Sequence, residues 1–116
     1  MRWKDGCKID RQTRKTIMGY IQKYDEYKRD CAWGMGTMHK KIVVAAVDRA
    51  KELAGQTIGC ERARMDIVSA IVLSCINPRV YHFETFAGMI PCERRQFYYY
   101  KNEFLNIVNK IMGNDQ

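Results

Sequence analysis

The chain has 116 residues, 47% of them hydrophobic, which fits one domain able to bury a modest core without metal or disulfide support and argues against wholesale disorder. Its formal charge of +7 favours an anionic partner, and that charge is concentrated early: residues 1–41 carry eleven Lys and Arg against five Asp and Glu, residues 42–116 nine against eight. The five cysteines show no close metal-ligand spacing, no run approaches the roughly 20 apolar residues of a membrane span, and no leading apolar segment marks a signal peptide, so reduced thiols in a cytoplasmic protein away from the membrane are expected.

Residues 1–9 form a short basic lead that Trp3 and Ile9 can pin to the body. Asp10 is placed to cap a basic helix over 10–30, with Ile17, Tyr20, Ile21, Tyr24 and either Tyr27 or Lys28 on its inner side. That helix is only mildly apolar, which leaves it free to project from the body. The glycines Gly34 and Gly36 then signal a hinge or a fixed turn, and Thr37 can cap the next helix. Over 38–54, Ile42, Val43, Ala46, Val47, Ala50, Leu53 and Ala54 recur at helical spacing, and Gly55 stands where a helix end is expected. Residues 60–76 give another helix, with Ala63, Ile67, Ala70, Ile71 and Ser74 along one side and Val68, Val72 and Cys75 beside them, a broad apolar surface suited to a central position. Asn77-Pro78 stops it, because the residue before proline disfavours helical geometry.

The last segment carries the functional signal. Phe83, Phe86 and Ala87 supply a short apolar patch, Gly88 to Pro91 turns the chain in about four residues, and a second helix runs from about 92 to 112. Its stripe of Phe97, Tyr100, Phe104, Ile107, Val108 and Ile111 is core, with Tyr100 as the inward member of the Tyr98-Tyr99-Tyr100 triplet. Glu93, Arg94, Arg95, Tyr98, Tyr99, Asn102 and Asn106 are left on other faces. Arginines at a helix start oppose the helix dipole, which fits a use outside the helix as well as simple solvation. A short helix, a turn and a longer helix with polar residues at its start match a helix-turn-helix over 79–112, whose second helix enters the major groove. The expectation is an all-α domain spanning 1–116, of about five helices, ending in a helix-turn-helix.

The run from His82 to Met112 resembles the C-terminal end of phage late-gene transcriptional regulators of the ArpU and RinA type, which carry a region like domain 4 of sigma factors. Arg94, Arg95, Phe97, Tyr98 and Phe104 occupy the matching places, and the basic helix near the N-terminus resembles the family's opening helix. Where the family places further basic residues after the aromatic pair, this chain has Tyr99 and Asn102. The resemblance implies a regulator that binds double-stranded DNA and recruits RNA polymerase in a bacterial host cytoplasm.

The candidate contacts to bases and phosphates are therefore Arg94, Arg95, Tyr98, Tyr99, Lys101 and Asn102, with Arg11, Arg14 and Lys15 gripping the backbone and Arg2, Lys4 and Lys8 helping. Cys92 either caps the second helix or fills space, and His39 and His82 read as ordinary surface or core residues. No glycine loop for phosphate, metal-binding His pair or nucleophile motif supports an enzyme, and no cofactor is expected. The rival reading is a structural or interaction module, or a homodimer, in which the same tyrosines anchor a protein partner.

Overall fold

A computed structural model describes residues 9–113, and the expectations for Arg2, Trp3, Lys4 and Lys8 lie outside the described residues. Among the described residues there are six helices and no strand: α1 Arg11–Gln22, α2 Tyr24–Ala32, α3 Met38–Leu53, α4 Glu61–Ile76, α5 Phe83–Phe86 and α6 Arg94–Ile111. The expected all-α architecture is the one the chain adopts.

Asp10 caps α1 through its carboxylate, which accepts from the Thr13 backbone N–H at 2.7 Å. The expected helix over 10–30 is divided at Lys23, whose N–H turns back to the Tyr20 carbonyl at 3.1 Å. The break lets the two halves face different neighbours. Ile17 and Ile21 of α1 are fully buried, and α1 packs on α4 and α6, whereas α2 packs mainly on α3. The basic helix thus does not project; its few apolar residues are spent on the core. Tyr24, just past the break, is buried, and its hydroxyl meets the Asp48 carboxylate and accepts from Lys28 at 3.0 Å and Lys51 at 3.2 Å.

The Gly34 and Gly36 segment is a fixed turn. Gly34 at φ +78° donates to the Cys31 carbonyl at 3.2 Å and Met35 to the Asp30 carbonyl at 2.8 Å, the paired bonds of a left-handed helix cap. A side chain at Gly36 would place its Cβ 2.6 Å from the Cys31 sulfur. Thr37 then caps α3 by accepting from the Lys40 N–H.

Val43, Ala46, Val47 and Ala50 of α3 are buried, and the alanines allow the close approach of α6. Ile42 and Leu53, expected in the same stripe, are partly exposed at its margins. The end of α3 is closed by Arg64 from α4, whose guanidinium donates to the Lys51 and Ala54 carbonyls at 3.0 Å each while its other edge pairs with Glu61. The neighbouring Gly55 N–H donates to the Glu103 carboxylate at 2.9 Å, tying the same corner to α6.

Helix α4 is the central rod, with Ile67, Val68, Ala70, Ile71, Val72, Ser74 and Cys75 all buried. Phe83 and Phe86 bracket Phe97 at 5.6 and 6.4 Å between ring centroids, which seats the start of α6 on the core. Along α6 the buried residues are Phe97, Lys101, Phe104, Leu105, Val108 and Asn109.

Candidate nucleic-acid interface

The helix-turn-helix expectation meets a different local geometry. The first helix is the single turn α5, and residues 87–93 connect it to α6 in place of a four-residue turn. Gly88 takes a positive φ, but the chain then needs Ile90, half-buried, to fill the corner before α6 can start. Helix α6 is oriented by its packing on α3, α4 and α1. Glu93 is its N-cap residue, and the Glu93 N–H donates to the Gln96 side chain at 3.0 Å, so Cys92 is a half-buried packing residue and not the cap.

The buried face of α6 is also turned relative to the stripe read from hydrophobicity. It runs through Phe97, Lys101, Phe104, Leu105 and Val108, while Tyr100 and Ile107 are half-buried and Ile111 is partly exposed. The cause is α1, which lies along the side of α6 that bears Asn102 and closes it. Tyr98, Tyr99 and Tyr100 are all half-buried, with Tyr99 edge-on to Tyr100 at 5.2 Å and the Tyr100 hydroxyl 3.2 Å from that of Thr57.

Arg94 and Arg95 are exposed in the first turn of α6. Arg94 forms an ion pair with Glu84 and lies 5.6 Å above the Tyr98 ring. The Glu84 carboxyl is held below its ordinary range first by its own backbone N–H, with Arg94 and the His82 ring adding to the effect. Arg95 makes no ion pair among the described residues. The same is true of Arg11 and Lys15, both exposed on α1.

Three of the expected contact residues are drawn inward. Arg14 is half-buried and its guanidinium donates to the side-chain carbonyl of Asn102. Lys101 is 7% exposed, which removes it from the outer face of α6 where a groove contact would require it. Four residues after Phe97, it falls on the same side of the helix as that buried ring. Its ammonium approaches the Tyr98 ring at 5.9 Å, and it interacts with Arg14 and with the Cys75 thiol. Burial, assisted by the Arg14 charge, holds the Lys101 ammonium below the usual lysine range. Burial likewise pushes the Cys75 thiol up to about 11, so it stays protonated near neutral pH.

The arrangement unites the two basic segments. Arg14 and Asn102 are 88 residues apart in sequence and in hydrogen-bond contact, so α1, the helix that carries Arg11 and Lys15, packs beside α6. Sequence reasoning missed Glu84, which offsets Arg94, and Cys75, which lies beside Lys101; neither has a local pattern that would announce it. Among the described residues no group of three or more His, Cys, Asp and Glu could hold a metal ion, and no helix is long and apolar enough to cross a membrane.

No protein-family model, curated protein or solved structure matches the chain.

Proposed function

We propose that the protein is a phage-type transcriptional regulator that binds double-stranded DNA through the first turns of α6, with α1 steadying the phosphate backbone. The observation that carries this reading is the contact between Arg14 and Asn102, which sets the cations of α1 beside the helix that bears Arg94, Arg95 and Tyr98. Arg94 and Arg95 would meet base edges or phosphates, Tyr98 and Tyr99 would lie against the adjacent backbone, and Arg11 and Lys15 would neutralise phosphates. Lys101 is not a groove contact in this scheme, and Asn102 acts by positioning Arg14. Recruitment of RNA polymerase in a bacterial cytoplasm belongs to the proposal on the family resemblance alone.

A second reading has its own support. Trp33 is 80% exposed and Met38 71%, with Met35 and Ile42 also exposed nearby, an apolar edge of the kind that meets a protein partner or a second copy of the chain. Salt distinguishes the two. Titration of a labelled random duplex with the full chain at 50 and at 200 mM salt, on the order of the range over which counterion release acts, gives steeply weakening affinity if DNA is the partner. Absence of saturable duplex binding at the lower salt, together with concentration-dependent self-association, would favour the interaction module.

A further inference from the structure

A cleft of about 490 Å³ opens between α2, α3 and α4, and none of the residues lining it is among those assigned to the duplex. Its volume lies within the span of about 300 to 1,000 Å³ usual for small-ligand sites. Lys28 of α2 and Lys51 of α3 both line it, and both ammonium groups donate to the Tyr24 hydroxyl, at 3.0 and 3.2 Å. That hydroxyl is saturated, since it accepts twice and gives its own proton to the Asp48 carboxylate. Asp48 stands 4.0 Å from Lys28 and 3.5 Å from Lys51, beyond the ordinary hydrogen-bond range. Each ammonium has three donors and spends one, so the others find no protein acceptor among the described residues. The two side chains are 57% and 36% exposed, which leaves those donors within reach of a ligand. The other charges on the cleft are already engaged: Arg64 with the α3 carbonyls and Glu61, and Glu52 with Arg49 at 3.0 Å. One carboxylate, Asp48, thus serves two ammonium groups. The hydrogen bond to Tyr24, followed by the Asp48 charge, holds the Lys28 ammonium above the usual lysine range, so it stays a cation at neutral pH.

Beyond the lysines the wall is apolar. Met65 and Val68 of α4 line the same cleft, and Lys51 and Ser69 are shared with an adjoining cleft of about 360 Å³ that continues to Val72, Leu73 and Ile76, with Asp25 at its edge. From Val68 to Ile76 the helix supplies a track of roughly 12 Å. Met65 and Leu73 are exposed although the other sides of α4 are buried in the core, so the central rod is apolar on a side that nothing among the described residues covers. We infer that the joined clefts bind a small amphipathic monoanion, a carboxylic acid whose carboxylate bridges Lys28 and Lys51 and whose hydrocarbon chain lies along α4 toward Leu73 and Ile76. A single negative charge cancels the excess of the lysine pair over Asp48, whereas a doubly charged group would overshoot it beside Glu52. A neutral apolar molecule would leave the spare ammonium donors unmet. The site goes beyond the DNA-binding reading and does not rest on it.

The experiment titrates octanoate, below its micelle-forming range, into the full chain without DNA, against a chloride control of matched ionic strength, while backbone amide NMR resonances are followed. Octan-1-ol, butanoate and inorganic phosphate are the comparison probes, and Lys28→Gln and Lys51→Gln are the variants. The expected result is saturable octanoate shifts centred on Lys28, Lys51, Ser69 and Leu73, with affinity at least tenfold weaker in either variant and for octan-1-ol. Lengthening the chain from butanoate to octanoate should tighten binding by roughly two- to fourfold per methylene, as burial of hydrocarbon requires. Absence of saturable octanoate shifts in the parent overturns the site. Octan-1-ol binding as tightly as octanoate, with neither variant having an effect, overturns it as well, since the clefts would then be greasy surface without a carboxylate seat. Phosphate or butanoate binding as tightly as octanoate overturns the amphipathic assignment. Should Lys51→Gln fail to fold by circular dichroism, Lys28→Gln, at the more exposed of the two lysines, carries the same test. Because no duplex is present, the outcome stands whichever way the DNA titration falls.

Discussion

Replacing Lys101 by methionine is expected to stabilise the protein, whereas most substitutions at a buried position destabilise. The side chain is 7% exposed and its ammonium is unmatched by any acceptor among the described residues, so folding strips water from a charge and returns little for it. Leaving a buried polar group unpaired costs about 2 kcal/mol, and the proximity of Arg14 adds to that. Losing the contact with the Tyr98 ring subtracts about 0.5 to 1 kcal/mol. The stem's volume is nearly conserved, so little packing energy changes. The balance is a gain of about 1 kcal/mol, which in a domain of this size raises Tm by roughly 4 °C. Urea denaturation followed by circular dichroism at pH 7 measures it, with an unchanged m-value as the check that only stability has moved. The pH dependence has a defined sign. A lysine whose folded-state pKa lies below its unfolded value penalises the folded state at neutral pH, and the penalty is relieved as pH climbs through the folded value toward the unfolded one near 10.5. Cys75 acts in the opposite direction from its ordinary 9.0 up to about 11, where the unfolded chain gives up its proton first. The parent-minus-variant difference isolates Lys101, and that difference should shrink with rising pH. A variant that is less stable than the parent by 1 kcal/mol or more would refute the reasoning, because it would mean that the ammonium is well satisfied.

Other parts of the fold give three more expected outcomes. Arg64→Ala leaves the Lys51 and Ala54 carbonyls at the end of α3 without their charged donor and should cost about 2 to 3 kcal/mol in the same denaturation experiment, with Arg64→Lys recovering only part because one ammonium cannot span both carbonyls. Phe104→Ala empties a fully buried aromatic position on α6 and should cost about 3 to 5 kcal/mol, with loss of native amide dispersion if α6 detaches. The Asp10 carboxyl is held low first by the Thr13 backbone N–H, so its capping contribution is present above its unfolded value near 3.8 and is lost as pH falls through the lower folded value; Asp10→Ala should remove that acid-side dependence and increase fraying at the start of α1 by hydrogen exchange.

The parts of the fold set by local chemistry were legible in the sequence. Thr37 and Gly55 bound α3, Asn77-Pro78 ends α4, and Asp10 begins α1, each through a bond or steric restriction made within a few residues. The break at Lys23 was not, since no glycine or proline stands there; it arises because Ile17 and Ile21 are claimed by α4 and α6 while Tyr24 is claimed by the charges of α3. Hydrophobic periodicity located α6 but set its inner face one position off. It counts Tyr100 and Ile107 as apolar and Lys101 as polar, whereas the docking of α1 from 88 residues away covers the Asn102 side and takes Lys101 in with it. The candidate contacts divide along the same line: exposure of Arg94, Arg95, Arg11 and Lys15 could be read locally, while the fates of Arg14, Lys101 and Asn102 depend on which helices meet. The one-turn α5 and the seven-residue connection after it, residues 87–93, likewise reflect packing of Phe86 and Ile90 that the turn residues alone do not specify.

The most direct test of a shared α1–α6 surface is the salt dependence of duplex affinity, measured by fluorescence anisotropy for the parent, for Arg94→Ala/Arg95→Ala and for Arg11→Ala/Lys15→Ala. Each phosphate neutralised contributes roughly −0.9 to the slope of log K against log salt. Both double variants should therefore weaken binding and flatten the slope by about two units, while retaining the parent's helical signal and stability. A duplex affinity and slope left unchanged by either pair would contradict the account, since that helix would then be taking no part in the contact.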